Sequence, residues 1–111
     1  EWGKAQTTWG SEEDYAQLDS DMKMIKESFI DKGIPVIVGE YGCFGSNKTR
    51  DVLEEWMMDA SSRMYEIGAC PVLWDTAMDE FNRYDGSMRN PEFIEKLIEP
   101  WVSDKAENAA A

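Results

Sequence analysis

A carboxylate at Glu40 and an indole at Trp74 are the two side chains of this chain whose places in the sequence suggest chemistry. Each ends a short apolar run, and the carboxyl end of a buried strand is where parallel α/β folds keep their functional residues. An indole beside a carboxylate can hold a sugar ring by CH–π stacking while the carboxylate faces the anomeric carbon. Alternatively, Glu40 is a salt-bridged surface acid or a helix cap, and Trp74 is an aromatic side chain that fills the core.

Other kinds of site are disfavoured by the residue types that the chain contains. Histidine is absent, which removes the commonest metal ligand and every histidine-based triad. The glycine-rich segment 39–45 lacks both the lysine and the spacing of a phosphate-binding loop. The acids Asp75, Asp79 and Glu80 follow no calcium-loop pattern, so we expect them to orient a loop or to meet solvent. We therefore predict neither a metal nor a cofactor.

The composition is that of a globular chain with a strong negative charge. Of its 111 residues 42% are hydrophobic, and 23 Asp and Glu residues against 11 Lys and Arg residues give a net charge of −12. This charge repels phosphate backbones and anionic lipid surfaces, so we expect neither nucleic acid nor a membrane as partner. No apolar run approaches the roughly 20 residues of a membrane span, and the first residues lack the layout of a signal peptide. A soluble chain without its own export signal is expected.

Apolar side chains at spacings of three and four predict three helices, and two short apolar runs between them predict two strands. In chain order these are a helix over 11–32, a strand over 34–38, a helix over 53–67, a strand over 70–74 and a helix from 91 onward. Pro100 is expected to break or end the last helix. Strands that alternate with helices run parallel and are joined by right-handed crossovers, so Glu40 and Trp74 are expected at the tops of neighbouring strands.

Two strands cannot form a stable sheet whose faces are both covered. Because both predicted strands are apolar throughout, we expect the chain to be part of a larger barrel or to complete its sheet with other chains. Residues 103–111 carry no apolar stripe and are expected to be a disordered tail or a stretch foreign to the domain. Cys43, above the first strand, and Cys70, at the start of the second, should lie more than about 10 Å apart, so we expect no disulfide between them.

The sequence GIPVIVGEYG at 33–42, with FIDKG just before it and VLWD at 72–75, resembles the seventh and eighth strands of the glycoside hydrolases of family five, chiefly the bacterial endo-β-1,4-glucanases. The resemblance extends from about Trp9 to Trp101. It implies an α/β fold in which residues 1–102 form the C-terminal part of a (β/α)8 TIM barrel, with two parallel strands and three helices in this chain. It also implies a secreted or cell-surface enzyme.

The resemblance assigns roles to individual residues. In that family the Glu of the G-E-[YF]-G element is the nucleophile of a retaining mechanism, and the Trp of Trp-Asp stacks on the sugar under attack. These roles fall on Glu40 and Trp74. Tyr41 and Trp9 are further candidates for substrate contact, although Trp9 could equally be a hydrophobic staple for the first helix. The implied substrate is a β-1,4-glucan, with a β-mannan or xyloglucan as alternatives.

Two departures from the family pattern bear on activity. Thr76 and Ala77 follow Trp-Asp where the family often has Asn-Gly, and the family's general acid, a Glu after Asn on the fourth strand, has no counterpart. A retaining mechanism needs two carboxyl groups about 5 Å apart. Asp75 follows Trp74 directly and should point away from it in an extended strand. We therefore expect the isolated chain to be inactive, and the rival interpretation is a non-catalytic carbohydrate-binding or half-barrel assembly piece.

Overall fold

The computed structural model describes residues 6–43, 45, 47–75 and 80–110 of the chain. The elements are helix α1 (Glu12–Ser28), a 3-10 turn (Ile30–Lys32), strand β1 (Ile37–Tyr41), helix α2 (Arg50–Ile67), strand β2 (Cys70–Leu73) and helix α3 (Pro91–Ala110). β1 and β2 lie side by side and run parallel, with α2 as the connection between them. The predicted α/β class, with two parallel strands and three helices, is confirmed.

The first helix begins where its capping residues predict. The hydroxyl of Ser11 accepts a hydrogen bond from the backbone N–H of Asp14, and the carboxylate of Asp14 accepts one from the N–H of Ser11. This capping box satisfies two N–H groups that the helix itself leaves unpaired. The α-helix ends at Ser28 rather than at Lys32, because Phe29 leaves the helical region at φ −132° and ψ −59°. A single 3-10 turn then leads towards β1.

Helix α3 does not stop at Pro100, so the predicted break there is wrong. The helix continues beyond the proline, and residues 103–110 are helical rather than a disordered tail. Contacts from α2 explain the difference. The ring of Tyr65 packs edge-on against that of Trp101, with 4.9 Å between ring centroids, and its hydroxyl donates a hydrogen bond to Asp104. These tertiary contacts offset the hydrogen bond that the proline cannot make.

A β-bulge in β1 changes which side chains face the helices. The paired residues are, in order along the strands, Ile37 with Cys70, Val38 with Pro71, and Tyr41 with Leu73. From the second pair to the third, β1 advances from residue 38 to 41 while β2 advances only from 71 to 73, so β1 carries one extra residue. In a regular strand Glu40 would share the face of Val38. With the bulge, Tyr41 takes that position in the core instead.

The core lies between the helices and one face of the sheet. The cluster that joins α1, α2 and the sheet contains Leu18, Met22, Tyr41, Ala60, Met64 and Ala69. The cluster that joins α2 and α3 contains Met57, Phe93, Ile94 and Leu97. The opposite face of the sheet is open, with exposed fractions of 71% for Ile37, 45% for Val72 and 54% for Trp74. The chain by itself therefore covers one face of a sheet whose apolar strands predict burial on both.

Candidate active site

The bulge in β1 determines the surroundings of Glu40. The residue lies within the strand, one position before its end, whereas the sequence predicts it just past the apolar run. Its side chain is exposed, and in the part of the chain that the structure describes its carboxylate makes no hydrogen bond or ion pair. The N-cap position of α2 is occupied by Thr49, so Glu40 does not cap that helix. A carboxylate without partners at this end of a parallel strand is accessible to a ligand.

Trp74 follows β2 directly, and its backbone holds it beside β1. Its N–H donates a 2.7 Å hydrogen bond to the carbonyl oxygen of Tyr41, the residue after Glu40. The side chain is 54% exposed, and among the described residues its ring contacts no other aromatic ring. The loop after β1 also approaches Trp74, since a Cβ atom on Gly42 would lie 3.4 Å from the Trp74 carbonyl oxygen. An open indole and an open carboxylate thus lie at the same end of the sheet.

Tyr41 lies in the core and not at the open end of the sheet. Its side chain is 8% exposed, and its ring centroid lies 6.3 Å from that of Trp56. Burial raises the pKa of the Tyr41 hydroxyl, and a hydrogen bond with Ser61 opposes that rise. A ring covered in this way offers no face to a sugar. The expectation that Tyr41 contacts substrate is therefore replaced by a packing role.

Trp9 contacts the helices. Its indole N–H donates a 2.7 Å hydrogen bond to Asp59 on α2, and its ring packs edge-on against Tyr15 and Trp56, with centroid separations of 5.8 and 6.4 Å. These contacts connect the segment before α1 to α2. The contact with Tyr15 agrees with the alternative that Trp9 is a hydrophobic staple for the first helix. The described contacts of Trp9 do not include Trp74 or Glu40.

The structure contains a buried ion pair, between Arg50 and Glu80, that the sequence analysis does not predict. Glu80 is 3% exposed and accepts a 2.6 Å hydrogen bond from Nη1 of Arg50, the first residue of α2. The Nε of Arg50 donates to Glu54 at 2.7 Å, and the Glu54 carboxylate also accepts from the side-chain amide of Asn90 at 2.8 Å. The hydrogen bond with Glu80 raises the pKa of Arg50, and desolvation opposes the rise. No local pattern signals the pair, because its two residues are far apart in the sequence.

Asp75 orients the loop that follows β2. One of its carboxylate oxygens accepts hydrogen bonds from the backbone N–H groups of Glu80, at 3.1 Å, and of Phe81, at 2.8 Å. The expectation that this acid orients a loop is confirmed. Asp79, Thr76 and Ala77, on which other expectations fall, lie outside the described residues.

The described residues contain neither a metal-binding cluster nor a disulfide. No group of three or more His, Cys, Asp or Glu side chains there could hold a metal ion. Cys43, which is half-buried, and Cys70, which is exposed, are both free thiols. Burial raises the pKa of the Cys43 thiol, and the charge of Lys48 opposes this. Among the described residues no helix has the length and apolar character that crossing a bilayer requires.

The arrangement offers one carboxylate and one flat apolar surface. Of the described acids that follow Trp74, Asp75 accepts hydrogen bonds from the backbone N–H groups of Glu80 and Phe81, and Glu80 pairs with Arg50. The chain can therefore provide a nucleophile and a stacking surface for a ring-shaped, uncharged ligand.

The comparisons with known sequences agree on one family. Residues 2–79 match the family model described as Cellulase (glycosyl hydrolase family 5). The chain is 35% identical over 78 residues to Endoglucanase A of Clostridium longisporum, which covers 68% of this chain and 14% of that protein. It is 27% identical over 117 residues to Endoglucanase A of Paenibacillus barcinonensis, which covers 89% of this chain and 28% of that protein. The chain thus spans less than a third of the length of these curated relatives.

A solved structure agrees with the sequence relatives. The chain is similar to a tri-modular GH5 (subfamily 4) endo-beta-1,4-glucanase from Bacillus licheniformis, with a TM-score of 0.74 and 32% identity, over 87% of this chain and 18% of that one. That enzyme has also been solved complexed with cellotetraose. The predicted fold, part of a (β/α)8 barrel, is confirmed by this similarity.

Proposed function

The chain belongs to glycoside hydrolase family 5, the cellulase family, and on that premise we propose that it supplies the nucleophile and a sugar-stacking surface of a retaining endo-β-1,4-glucanase. The observation that carries the proposal is the meeting of two strand ends. Glu40 is exposed in the bulge of β1. The carbonyl oxygen of the next residue, Tyr41, accepts a hydrogen bond from the backbone N–H of Trp74, whose side chain is also exposed. Carboxylate and indole thus approach a ligand from one end of the sheet.

In the proposed reaction the carboxylate of Glu40 attacks the anomeric carbon of the sugar while Trp74 stacks on its ring. A covalent glycosyl ester forms as the glycosidic C–O bond breaks, and the departing oxygen takes a proton from a second carboxyl group. That group then removes a proton from water, and the resulting attack cleaves the ester with overall retention of configuration. An exposed Glu40 without an ion pair has its carboxylate oxygens available for the first step.

The proton donor is proposed to come from the rest of the complete protein. Asp75, next to Trp74, has a carboxylate oxygen that accepts two backbone N–H groups and so orients a loop. Without a proton donor the reaction loses an assistance of about 10²–10⁴-fold, so the isolated chain is proposed to be inactive. The open face of the sheet, with Ile37 and Val72 exposed, is where the remainder of the barrel, or another chain, would cover the strands.

A β-1,4-glucan is the substrate best supported. The relatives are endoglucanases, and the similar enzyme from Bacillus licheniformis is an endo-beta-1,4-glucanase solved with cellotetraose. A β-mannan or a xyloglucan presents a similar ring face to Trp74 and is separated from glucan by assay. An enzyme meets a glucan polymer outside the cell, so we propose a secreted or cell-surface protein.

A chimeric barrel tests the function. This chain replaces the matching part of the Bacillus licheniformis enzyme, and the chimera is treated with a 2-fluoro cellobiosyl fluoride, which traps glycosyl esters. Mass spectrometry of peptides then locates the label, and β-glucan, mannan and xyloglucan are compared as substrates. Glu40→Gln removes the nucleophile, and Glu95→Gln, on the exposed side of α3, is the matched control.

We expect a label on Glu40 that Glu40→Gln abolishes and Glu95→Gln retains. Hydrolysis should likewise be abolished by Glu40→Gln and retained in Glu95→Gln, and it should be fastest on β-glucan. Sugar binding without a label would favour the non-catalytic carbohydrate-binding alternative. Hydrolysis by the isolated chain that depends on Glu40 would contradict the proposed need for an acid from elsewhere.

A further inference from the structure

We propose that the ion pair between Arg50 and Glu80 positions Trp74 for sugar stacking, because it holds the Glu80–Phe81 backbone against Asp75, the residue that follows Trp74. The proposal rests on the proposed function for one statement only, which is that Trp74 stacks on a sugar. The residues whose contacts carry the proposal lie on α2, on α3 and in the segment after β2.

The two ions depend on each other. Glu80 is 3% exposed, and Oε1 of its carboxylate pairs with Nη1 of Arg50 at 2.6 Å. The Oε2 of Glu80 and the Nη2 of Arg50 are buried without a hydrogen-bond partner among the described residues. A buried carboxylate that loses its cation is strongly unfavourable. Removal of Arg50 would therefore drive Glu80 towards solvent.

Movement of Glu80 would be transmitted to Trp74 through Asp75. The backbone N–H groups of Glu80 and Phe81 both donate to one carboxylate oxygen of Asp75, at 3.1 and 2.8 Å. Asp75 is joined to Trp74 by one peptide bond. The ends of segment 75–81 are thus held together at the point where Arg50 holds Glu80.

Arg50 itself is fixed from two helices. It is the first residue of α2, its Nε donates to Glu54 at 2.7 Å, and its guanidinium lies 5.2 Å from the ring centroid of Phe93 on α3. Because α2 begins after the loop that follows β1, the ion pair connects the loop after Glu40 with the loop after Trp74. Among the described residues the ring of Trp74 packs on no other aromatic ring, so aromatic packing does not fix its orientation.

The test uses the full chain and four changes. Arg50→Met removes the cation, Glu80→Gln removes the charge and keeps the shape, and Arg50→Met with Glu80→Leu replaces the pair by apolar side chains. Arg63→Met is the matched control, because it breaks an ion pair of the same helix with Asp19, away from the loop. NMR follows the indole N–H signal of each tryptophan and the exchange rate of the Phe81 amide, and cellotetraose is then titrated.

In Arg50→Met we expect the Phe81 amide to exchange about tenfold faster or more, since its hydrogen bond to Asp75 opens when Glu80 moves. The Trp74 indole signal should shift or broaden while those of Trp9 and Trp101 stay in place. Glu80→Gln should change both readouts less, because an amide oxygen can still accept from Arg50. The apolar double change should restore both, since a packed apolar pair can replace a buried ion pair. Arg63→Met should alter neither.

Unchanged Phe81 exchange and an unchanged Trp74 signal in Arg50→Met would overturn the proposal. Loss of all indole signals in that variant, with no change in Glu80→Gln, would also overturn it, because the pair would then support the whole fold and not the loop. These readouts need no sugar. Cellotetraose that perturbs Trp74 in no variant, including the wild type, would count against the proposed function instead.

A double-mutant cycle separates positioning from a contact of Arg50 with the sugar. We expect Arg50→Met to weaken cellotetraose binding about tenfold in the wild-type background, which corresponds to about 1.4 kcal/mol, and to have no effect once Trp74→Ala is present. Fully additive losses would overturn the proposal, because Arg50 would then act independently of Trp74.

Discussion

Replacement of Tyr41 by phenylalanine tests whether this residue supports the core or contacts a ligand. Tyr41 is 8% exposed beside Trp56, and its hydroxyl shares a hydrogen bond with Ser61, which is 2% exposed. Phenylalanine keeps the ring and its packing and removes the hydroxyl alone. A lost buried hydrogen bond costs about 0.5–1.5 kcal/mol, so the free energy of unfolding should fall by about 1 kcal/mol.

Urea unfolding followed by circular dichroism measures this loss. For a denaturant slope of about 1–3 kcal/mol/M, a loss of 1 kcal/mol lowers the midpoint by about 0.3–1 M. Tyr84→Phe is the matched control, because Tyr84 is 86% exposed and its change should stay within about 0.5 kcal/mol. The wild type, Tyr41→Phe and Tyr84→Phe should respond equally when cellotetraose is titrated.

The pH dependence gives the same prediction an independent check. Burial raises the pKa of Tyr41 in the folded state, so its contribution to stability is complete below the unfolded pKa, about 10, and is lost as the pH rises through the folded value. Tyr41→Phe should therefore lose less stability than the wild type in alkaline solution. An unchanged urea midpoint in Tyr41→Phe, together with a weaker response to cellotetraose, would refute the core assignment.

Two further predictions concern the helices α3 and α1. Pro100→Ala should stabilise α3 by up to about 3 kcal/mol, because it restores a backbone N–H inside a helix, and circular dichroism with urea should detect it; equal midpoints would mean that the helix after the proline does not fold with the core. The pKa of Asp14 is lowered, first by the hydrogen bond from the backbone N–H of Ser11. The contribution of Asp14 to the stability of α1 is therefore present above the ordinary aspartate pKa of about 3.9 and is lost as the pH falls through the lowered pKa. Asp14→Asn should flatten the acid side of the helix signal measured against pH, and a profile identical to the wild type would contradict the capping role.

The order and direction of the elements follow from the sequence because they depend on local signals. Apolar spacing and glycine stops give the helices, and two short apolar runs between them give the strands. Alternation then forces parallel strands, which is why Glu40 and Trp74 could be placed at the same end of the sheet before any contact was known. The motif around Glu40 also carries the family resemblance, since strand ends hold the functional residues of such folds.

The directions of the side chains near that end depend on tertiary structure. The phase of the β1 pleat is set by pairing with β2, and the extra residue in that pairing puts Tyr41 in the core and leaves Glu40 exposed. No local pattern encodes the bulge, because it exists only between two strands. The same reason applies to α3, where Tyr65 on another helix supports the turn beyond Pro100.

The sequence by itself determined which residues offer a carboxylate and an indole and where along the chain they occur. Only the tertiary structure decided that Glu80 is buried against Arg50 and that Trp74 is held by the carbonyl oxygen of Tyr41. Each of these contacts joins residues about 30 positions apart, and such pairs meet only when the packing of helices on the sheet fixes their separation. Local periodicity carries no information about that separation, so these two contacts could be recognised only in the folded chain.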